Sequence, residues 1–453
     1  MSSNLLIIHG QAFTLGAANE LISDAALYIE GDTIVEIGTT AELEARYPHA
    51  ERLDAAGKII LPGSICGHTH FYGAFARGMA IPGQPPTTFV EILERLWWKL
   101  DRALLWEDIR YSALVCLADA IRHGCTTLID HHASPNAIDG SLDIIAEAVK
   151  EAGLRASLCY EVTDRHGPEG ARAGITENVR FIKRVQKEHD PQLAASFGLH
   201  AALTLSDRTL EESAAAAADL SSGGGKGVGF HIHVAEGVAD QRESLRRYNM
   251  RVVERLQKFG ILGPRTVAVH CVHLDEYEKD ILRETGTWVT HQPRSNMNNA
   301  VGLPDVAGLL RRGVKVALGN DGFSNNMFEE MKACYLAHKH QAGNPQAMPG
   351  DAVMRMAYEH NSALCRIFFD KPVGELTPGA FADIILLDYR PITPLTPGNL
   401  PWHLIFGVDG AHVTHTIASG RVLMKDRQLT TLDEEAIAAR ARELAAGVWR
   451  RVG

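Results

Sequence analysis

The sequence predicts an α/β fold, namely a (β/α)8 TIM-type barrel with a small β-sandwich domain that the N- and C-terminal segments form together. The middle of the chain alternates short apolar runs with longer helix-like stretches, which is typical of parallel βα units. Eight apolar runs fall within residues 59–371, and eight parallel strands can close a barrel of this size. Both ends of the chain instead consist of short strand-like runs between glycine and charged turns.

The two terminal segments are predicted to pair with each other. We assign residues 1–58 and 373–430 to the composite sandwich, residues 59–372 to the barrel and residues 431–453 to a C-terminal helix. Gly31 and Asp32 lie between two alternating apolar runs, which predicts a β-hairpin. In the last segment the apolar residues that begin at Ile437 are spaced by four, three and four, so we expect one face of this helix to dock on its neighbour.

The eight apolar runs of the middle are the candidate barrel strands. In chain order they are residues 59–70, 126–130, 155–162, 195–203, 229–236, 266–271, 288–293 and 315–321. The stretches between them, such as 108–124 and 178–189, have helical patterning. The glycine-rich piece 221–229 precedes a strand and not a helix, so we interpret it as a connection rather than a phosphate-binding loop.

Composition and charge exclude several classes of protein. The 453 residues are 45% hydrophobic, as in globular proteins and unlike disordered chains. Lys and Arg number 45 against 55 Asp and Glu, and this net charge of −10 argues against nucleic acid as a partner. No run reaches the roughly 18–20 apolar residues of a membrane span, and the N-terminus lacks the basic start of a signal peptide. We therefore predict a cytoplasmic protein with no membrane partner.

Cysteine usage limits the chemistry of any metal site. The seven cysteines are spread thinly along the chain, and no two of them form a CxxC pair. Neither a disulfide framework nor a thiolate zinc site is indicated by this pattern. A metal site in this chain is therefore expected to use histidine and carboxylate.

Ionisable side chains recur at the predicted carboxyl ends of the strands, where barrel enzymes carry their chemistry. They are His68, His70, His231, His233, Glu236, His270, His291 and Asp321. One HxH motif alone is most often two ordinary histidines, but burying this many imidazoles without a ligand would be costly, which predicts a metal site. Alternation along a strand places His68 and His70 on one side, so both can reach one ion. Imidazole with carboxylate suits Zn²⁺, and Fe²⁺ is also compatible.

Longer motifs surround these residues. They read LPGSICGHTHFYGAFARGMA, LWWKLDRAL, GCTTLIDHHASP, HIHVAE, AVHCVHL, HQPRSNMNNAVG, LGNDGFSNNMFEEMK and GELTPGAFADIILLDY. By these motifs, which run from residue 59 to residue 389, the chain resembles the amidohydrolase superfamily in its cytosine-deaminase/chlorohydrolase branch. The resemblance agrees with a barrel joined to a sandwich, and it is not specific for one substrate.

The resemblance implies one divalent metal ion, most simply Zn²⁺ with Fe²⁺ as the alternative. The implied metal ligands are His68, His70, His233 and Asp321. The implied catalytic residues are Glu236, His270 and Asp321. Glu236 would carry protons to the substrate ring, and Asp321 would accept a proton from the attacking water. His270 would polarise the attacked group or orient that water. Within the HIH motif, His233 is favoured over His231 because it stands three residues before Glu236.

One absence separates two branches of the superfamily. Members with two metal ions use a lysine at the end of strand four to bridge them, and the candidate strand 195–203 contains no lysine. The resemblance therefore implies a single metal ion. At the corresponding position the chain has His200, which is expected to hold the substrate.

Further polar residues near the strand ends are candidate substrate contacts. They are His131, His132, Tyr160, Arg77 and Asn296. Each also has a structural interpretation, such as a polar loop for the two histidines, a surface or capping role for Arg77 and a turn for Asn296. Glu161 is interpreted either as a contact to a heterocycle or as the partner of a nearby arginine. The loop 80–89 is rich in proline and glycine, and it is well placed to act as a lid.

These residues predict a metal-dependent hydrolase, an aminohydrolase or deaminase, that acts on a C–N bond of a purine, pterin, pyrimidine or triazine through an activated water. The partner is then a small heterocyclic substrate, and the resemblance is compatible with a homodimer. One alternative is opening of a cyclic amide, or removal of chloride or an alkylamine, by the same kind of site. A second alternative is a barrel that binds metal or ligand without turnover.

Overall fold

The computed structural model describes residues 4–16, 19–81, 83–221 and 227–453. Its β-strands fall into two groups, one formed by the terminal segments and one that forms the barrel. The terminal strands are β1 (Asn4–Phe13), β2 (Leu21–Glu30), β3 (Thr33–Thr39), β4 (Glu51–Asp54), β5 (Ile59–Pro62), and, after the barrel, β15 (Ile384–Leu387), β16 (Val413–Ala418), β17 (Arg421–Lys425) and β18 (Gln428–Leu429). The barrel strands are β6 (Ser64–Thr69), β7 (Cys125–Asp130), β8 (Arg155–Leu158), β9 (Leu193–Ala195), β10 (Phe197–Ala201), β11 (Phe230–Val234), β12 (Val267–His270), β13 (Trp288–His291) and β14 (Val316–Leu318).

Helices follow most of the barrel strands. The α-helices are α1 (Thr40–Arg46), α2 (Phe89–Ile92), α3 (Trp98–Ala103), α4 (Trp106–Arg122), α5 (Ser141–Ala152), α6 (Gly167–Glu188), α7 (Asp207–Ser221), α8 (Val238–Tyr248), α9 (Val252–Lys258), α10 (Glu276–Thr285), α11 (Pro293–Asn298), α12 (Val306–Arg311), α13 (Met327–Ala342), α14 (Gly350–Met354), α15 (Asn361–Cys365), α16 (Leu400–Phe406) and α17 (Glu434–Val452). Short 3₁₀ turns cover Phe71–Ala76, Asp164–His166, Ala202–Thr204 and Gly410–His412, and π turns cover Leu93–Trp97 and Arg355–His360. In the ranges given above, no helix combines the length and apolarity needed to cross a bilayer.

The barrel prediction is confirmed, with eight parallel strand positions in chain order. Strands β6 to β9 pair in sequence, as do β10 to β14, and all of these pairs are parallel. Strands β9 and β10 share the fourth position and are separated by Ser196, whose amide donates to Leu158 O at 3.2 Å. The first and last strands meet where Asn320 N donates to His68 O at 2.9 Å. The Asn361 amide reinforces this contact by donating to both Ile65 O and Leu318 O.

Several of the predicted barrel strands differ in extent from the prediction, and the first and third runs show two causes. The run 59–70 was expected to be one strand, but it divides at Gly63 into β5, which belongs to the terminal sheet, and β6. Gly63 is required there because a Cβ atom would lie 2.3 Å from Thr126 Oγ1. The run 155–162 is regular only as far as Leu158, and beyond it Tyr160 and Val162 make single bridges to neighbouring strands.

The terminal segments pair as predicted. They form one nine-stranded sheet with β4 attached to β1, and β5 joins the two halves by pairing with β1 and, antiparallel, with β15. Leu27 of the N-terminal half and Ile384 of the C-terminal half belong to one buried apolar core. The predicted hairpin at Gly31 and Asp32 connects β2 to β3, and Gly31 has the positive φ of 59° that such turns need.

The C-terminal helix α17 docks on the outside of the barrel through the predicted stripe. Ile437 and Val448 are buried, and the helix packs on α3 and α4. Trp449 Nε1 donates to Phe75 O at 2.8 Å, and Arg451 Nε donates to Ala103 O at 2.6 Å. Most of the glycine-rich connection that we predicted at 221–229, residues 222–226, lies outside the described residues.

Candidate active site

The carboxyl ends of the barrel strands surround a cavity of about 810 Å³. Its polar lining includes His70, His200, His233, Glu236 and Asp321, all of which were predicted as site residues. Phe89, Leu93, Trp97 and Trp98 form an apolar part of the lining. A cavity of this size with convergent polar groups on one side is typical of a small-molecule site.

The four predicted metal ligands meet at the polar end of this cavity. Asp321 Oδ1 lies 2.9 Å from His68 Nε2 and 3.0 Å from His70 Nε2. The Nε2 atoms of His70 and His233 are 3.2 Å apart. Ligand atoms of His68, His233, His270 and Asp321 also lie within 4.8 Å of one another. The structure thus brings the predicted set together and places His270 directly beside it.

Hydrogen bonds behind two of the imidazoles orient them for an ion. His70 Nδ1 lies 2.6 Å from His131 O, and His233 Nδ1 lies 2.9 Å from His200 O, so each Nδ1 donates to a carbonyl. The Nε2 lone pairs of both rings are therefore free to face a common point, as metal-binding histidines require. Three imidazoles and one carboxylate are a donor set that fits Zn²⁺ or Fe²⁺.

The two histidines of the HIH motif lie at different depths. His233 lines the cavity, whereas His231 is fully buried behind it, with its Nε2 2.8 Å from His68 Nδ1. His231 therefore supports a predicted ligand and does not itself face the cavity. The sequence pattern favoured His233 because of its distance from Glu236, and in the structure His233 is the member that lines the cavity, with its Nε2 3.2 Å from His70 Nε2.

Glu236 and His270 stand together next to Asp321. His270 Nε2 lies 3.3 Å from Glu236 Oε2 and 3.8 Å from Asp321 Oδ2. On the other side of the ring, Asn296 Nδ2 lies 3.1 Å from His270 Nδ1. Asn299 Nδ2 donates to Glu236 Oε1 at 3.3 Å. Each of these two predicted catalytic residues thus contacts an asparagine of the segment that follows strand β13.

The backbone at these strand ends is strained. His270 has a φ of 70° and Asp321 a φ of 56°, and Ala235, next to Glu236, has a φ of 47°. Residues other than glycine adopt such left-handed angles at a cost of order 1–3 kcal/mol each. Strain of this kind clusters where side chains must be aimed at one point, which agrees with a functional site here.

Burial and neighbouring charges set the ionisation of the site. Burial first, and the Asp321 carboxylate second, raise the pKa of Glu236 well above its usual range. Burial alone would raise the pKa of Asp321, but His270, His68 and His70 hold it well below its usual range. Burial lowers the pKa of His270 to about 4 despite the nearby Asp321. The surroundings therefore favour the protonated form of Glu236, the ionised form of Asp321 and the neutral form of His270.

Among the predicted substrate contacts, Arg77 and His200 line the cavity, whereas His131, His132, Tyr160 and Asn296 do not. His131 is buried behind the ligands, with its Nε2 3.0 Å from Leu199 O, and His132 Nε2 lies 2.9 Å from Ser134 Oγ. Tyr160 forms part of the buried wall beneath helix α6, where its ring meets Gly174.

Several residues of the site have no clear signal in the sequence. Arg165 Nη2 donates to Asp101 Oδ2 at 2.9 Å and to Glu161 Oε1 at 3.0 Å, so this buried network joins helix α3 to the segment that follows strand β8. Glu161 thus has the arginine partner that its structural interpretation required. The network supports the cavity wall, because the Arg165 guanidinium stacks on the Trp98 ring at 4.9 Å.

The loop predicted as a lid is anchored at its C-terminal part. Arg95 donates to Gln84 O and Pro85 O at 2.7 and 3.0 Å, and Thr88 caps helix α2. Phe89, at the end of this loop, reaches the cavity. Pro82 lies outside the described residues, and the lid itself stays a prediction.

Comparisons with known proteins agree with this geometry. The amidohydrolase family profile matches residues 59–423, and an imidazolonepropionase-like composite domain of bacteria matches residues 25–50. A 5-methylthioadenosine/S-adenosylhomocysteine deaminase of Pelotomaculum thermopropionicum is 32% identical over 98% of both chains. A 5'-deoxyadenosine deaminase of Methanothermobacter thermautotrophicus is 33% identical over 94% of this chain and 96% of its own.

A solved structure gives the same result for the fold. An adenosine deaminase of Xanthomonas campestris with bound zinc superposes with a TM-score of 0.85 at 23% identity, over 99% of this chain and 98% of its own. Together with the profile match, which covers most of the sequence, these relatives establish the family. The chain belongs to the amidohydrolase family.

Proposed function

We propose that this chain is a metal-dependent aminohydrolase that removes the exocyclic amino group from a nitrogen heterocycle, with 6-aminopurine nucleosides as its substrate class. The observation that carries the proposal is the meeting of Glu236, His270 and Asp321 beside three histidines at one end of a cavity of about 810 Å³. Family membership supports hydrolysis of a C–N bond. The two deaminases that match nearly the whole chain support an adenosine-type ring.

The proposed metal ligands are His68, His70, His233 and Asp321, and the proposed ion is Zn²⁺. A divalent ion held by these donors supplies a water of lowered pKa near the substrate. Burial lowers the pKa of His68 to about 3, so this ring is neutral at working pH and can bind a cation directly.

Glu236 is proposed as the proton carrier. Burial and the neighbouring Asp321 carboxylate raise the pKa of Glu236 and so favour its protonated carboxyl group, and its position in the cavity lining lets it reach a ring nitrogen. Transfer of that proton to the ring allows water to add at the neighbouring carbon. Glu236 then takes up one proton of the added water and passes it to the amino group, which leaves as ammonia. The second proton of the water passes to Asp321 and from there back to Glu236, so the ring carbon becomes a carbonyl and Glu236 regains its starting form.

His270 is proposed to polarise the reacting centre through Nε2. Because Asn296 Nδ2 donates to Nδ1, the single proton of the neutral ring resides on Nε2. That N–H points between Glu236 and Asp321, where the oxygen of the attacking water must lie. Asp321 Oδ2, which accepts a hydrogen bond from Ser295 Oγ, is held ionised next to it and can take a proton.

The shape of the cavity supports a substrate larger than a bare base. Sites for drug-sized ligands span about 300–1,000 Å³, and this cavity lies in the upper part of that range. Its apolar wall, formed by Phe89, Trp97 and Trp98, offers flat surfaces for a heterocycle or an apolar 5' substituent. Arg77, exposed at the cavity, is the proposed contact for a polar substituent.

Ammonia release tests the proposal directly. We expect the Zn²⁺-loaded protein to release ammonia from adenosine, 5'-deoxyadenosine or 5-methylthioadenosine and to form the matching 6-oxo product by mass spectrometry. The Glu236→Gln variant, loaded with the same metal, is the control for contaminating deaminase. Chloride release from a chlorotriazine or ring opening of a cyclic amide, without ammonia from any aminopurine, would refute the proposal and favour the alternatives.

The cytoplasmic location and the homodimer remain proposals. Cell fractionation tests the first of them, and sedimentation equilibrium of the purified protein tests the second.

A further inference from the structure

A second cluster of metal-ligating side chains lies between strand β13 and helix α13. It consists of His291, at the end of β13, and of Cys334 and His338 on α13. One ligand atom from each residue can be chosen so that all three lie within 4.8 Å of one another. None of these residues belongs to the metal or catalytic set proposed above.

The local structure explains why the three side chains converge. Cys334 and His338 are four residues apart, so they share one face of helix α13. That face is turned to the end of β13, where His291 is fully buried and its Nε2 lies 3.0 Å from His338 Nε2. The two rings are inclined by 66° to each other, with their centroids 5.0 Å apart.

The arrangement repeats a feature of the active site. There the Nε2 atoms of His70 and His233 face each other at 3.2 Å, within the set of proposed metal ligands. A hydrogen bond between two neutral imidazoles would account for the 3.0 Å at the second cluster. That hydrogen bond would not explain why the buried thiol of Cys334 lies beside the two rings as a third possible metal donor.

The chemistry of the donors suits a borderline or soft cation. Two imidazoles and a thiolate favour Zn²⁺ and similar transition-metal ions over Mg²⁺ or Ca²⁺. Burial, with the neighbouring His338 and His270 rings, holds the pKa of His291 well below its usual value, so this ring is neutral and ready to bind. Burial raises the pKa of the Cys334 thiol, whose proton an incoming ion displaces. His338 is only half-buried, which gives an ion a route from solvent.

We propose that His291, Cys334 and His338 form a second metal site, for Zn²⁺ or an ion of similar ligand preference. An ion held there links the seventh barrel strand to the helix that follows the eighth, and so stabilises this side of the barrel. The proposal departs from the expectation that any metal in this chain would use only histidine and carboxylate. It concerns binding alone and is independent of the proposed reaction.

Cobalt substitution separates the two sites, because the proposed active-site ligands contain no sulfur. A thiolate-to-Co²⁺ charge-transfer band in the near ultraviolet therefore reports on the second site alone. We expect the wild-type chain to bind two Co²⁺ ions by elemental analysis and to show this band. One bound ion without the band, at saturating Co²⁺, would overturn the proposal.

Variants assign the band to the cluster. Cys334→Ala should abolish the band and reduce the bound metal from two ions per chain to one. His338→Ala, at a half-buried position with less risk to folding, should have the same effect. Cys365→Ala removes an equally buried thiol outside the cluster and should keep both the band and the second ion. A band that survives in folded Cys334→Ala protein would equally contradict the assignment.

Discussion

His231 Nε2 lies 2.8 Å from His68 Nδ1, so the first histidine of the HIH motif supports a proposed metal ligand from behind. His233, two residues later, faces the cavity and the other ligands. One motif on one strand thus provides both a proposed ligand and the partner that orients another ligand. Such outer partners typically change metal affinity by about 10–100-fold when they are replaced.

This division of roles predicts different outcomes for the two histidines. His233→Ala should lose most of the metal bound at the active site, because it removes a donor there. His231→Gln should retain metal at saturation but bind it about 10–100-fold more weakly, since His68 loses its orienting partner. Elemental analysis after gel filtration and competition with a chelator measure both effects. Equal metal loss in the two variants would place His231 among the ligands.

Glu236 should be dispensable for the metal and required for turnover. Glu236→Gln keeps the size of the side chain and its contact with Asn299, but it cannot carry a proton. We expect its metal content to be unchanged and kcat to fall by at least ~10²-fold, the usual scale for a general acid or base. Near-normal turnover in metal-replete Glu236→Gln protein would exclude Glu236 as the proton carrier.

Asn296 is expected to act as a positioning residue through the tautomer of His270. In Asn296→Asp the new carboxylate would accept a hydrogen bond from Nδ1–H, which favours the tautomer whose proton resides on Nδ1 instead of Nε2. We expect kcat to fall by about 10²-fold, with KM and metal content little changed. Asn298→Asp adds the same charge on the same helix without a contact to His270, and it should change KM more than kcat. A larger effect on KM than on kcat in Asn296→Asp would instead indicate a substrate contact.

The buried carboxyl group of Asp240 should make the free energy of unfolding depend on pH. Burial raises its pKa to about 7, although the carboxylate accepts from Ala235 N at 2.8 Å. Because the folded pKa lies above the unfolded value, this group contributes stability that is complete below about pH 4 and is lost as the pH rises to about 7. The slope cannot exceed about 1.4 kcal/mol per pH unit for one proton.

Asp240→Asn cannot ionise and should remove this contribution to the slope. We therefore expect the melting temperature of the variant, relative to wild type at fixed metal concentration, to increase between pH 5 and pH 8. Differential scanning fluorimetry across this range measures it. A difference between the two proteins that stays constant with pH would show that Asp240 is ionised in the folded state at pH 5.

Sequence patterns determined which strand ends carry chemistry. Because successive parallel strands present their carboxyl ends on one rim, the order of residues along the chain predicted that the ionisable side chains at these ends lie on one rim. The choice of His68, His70, His233, His270 and Asp321 among them came from the family resemblance. The sequence predicted less well where individual strands begin and end. The break at Gly63 depends on the close approach of Thr126, and a contact between distant strands leaves no mark on local periodicity.

Only the tertiary structure shows which of the predicted side chains line the cavity and which lie behind those that do. Alternation assigns a side chain to a face of a strand, but it does not say whether that side chain lines the cavity or supports one that does. For this reason Asn296 and His131, expected at the substrate, lie behind His270 and His70 instead.

What the sequence by itself determined is therefore the barrel with its paired terminal segments, the family, and the identity of the ionisable residues at the strand ends. Only the tertiary structure decided how these residues are supported, as in the contacts of Arg165 with Asp101 and of His338 with His291. The physical reason is that such contacts join residues that are 64 and 47 positions apart. Their energies depend on burial and distance, which arise only when the strands and helices pack together.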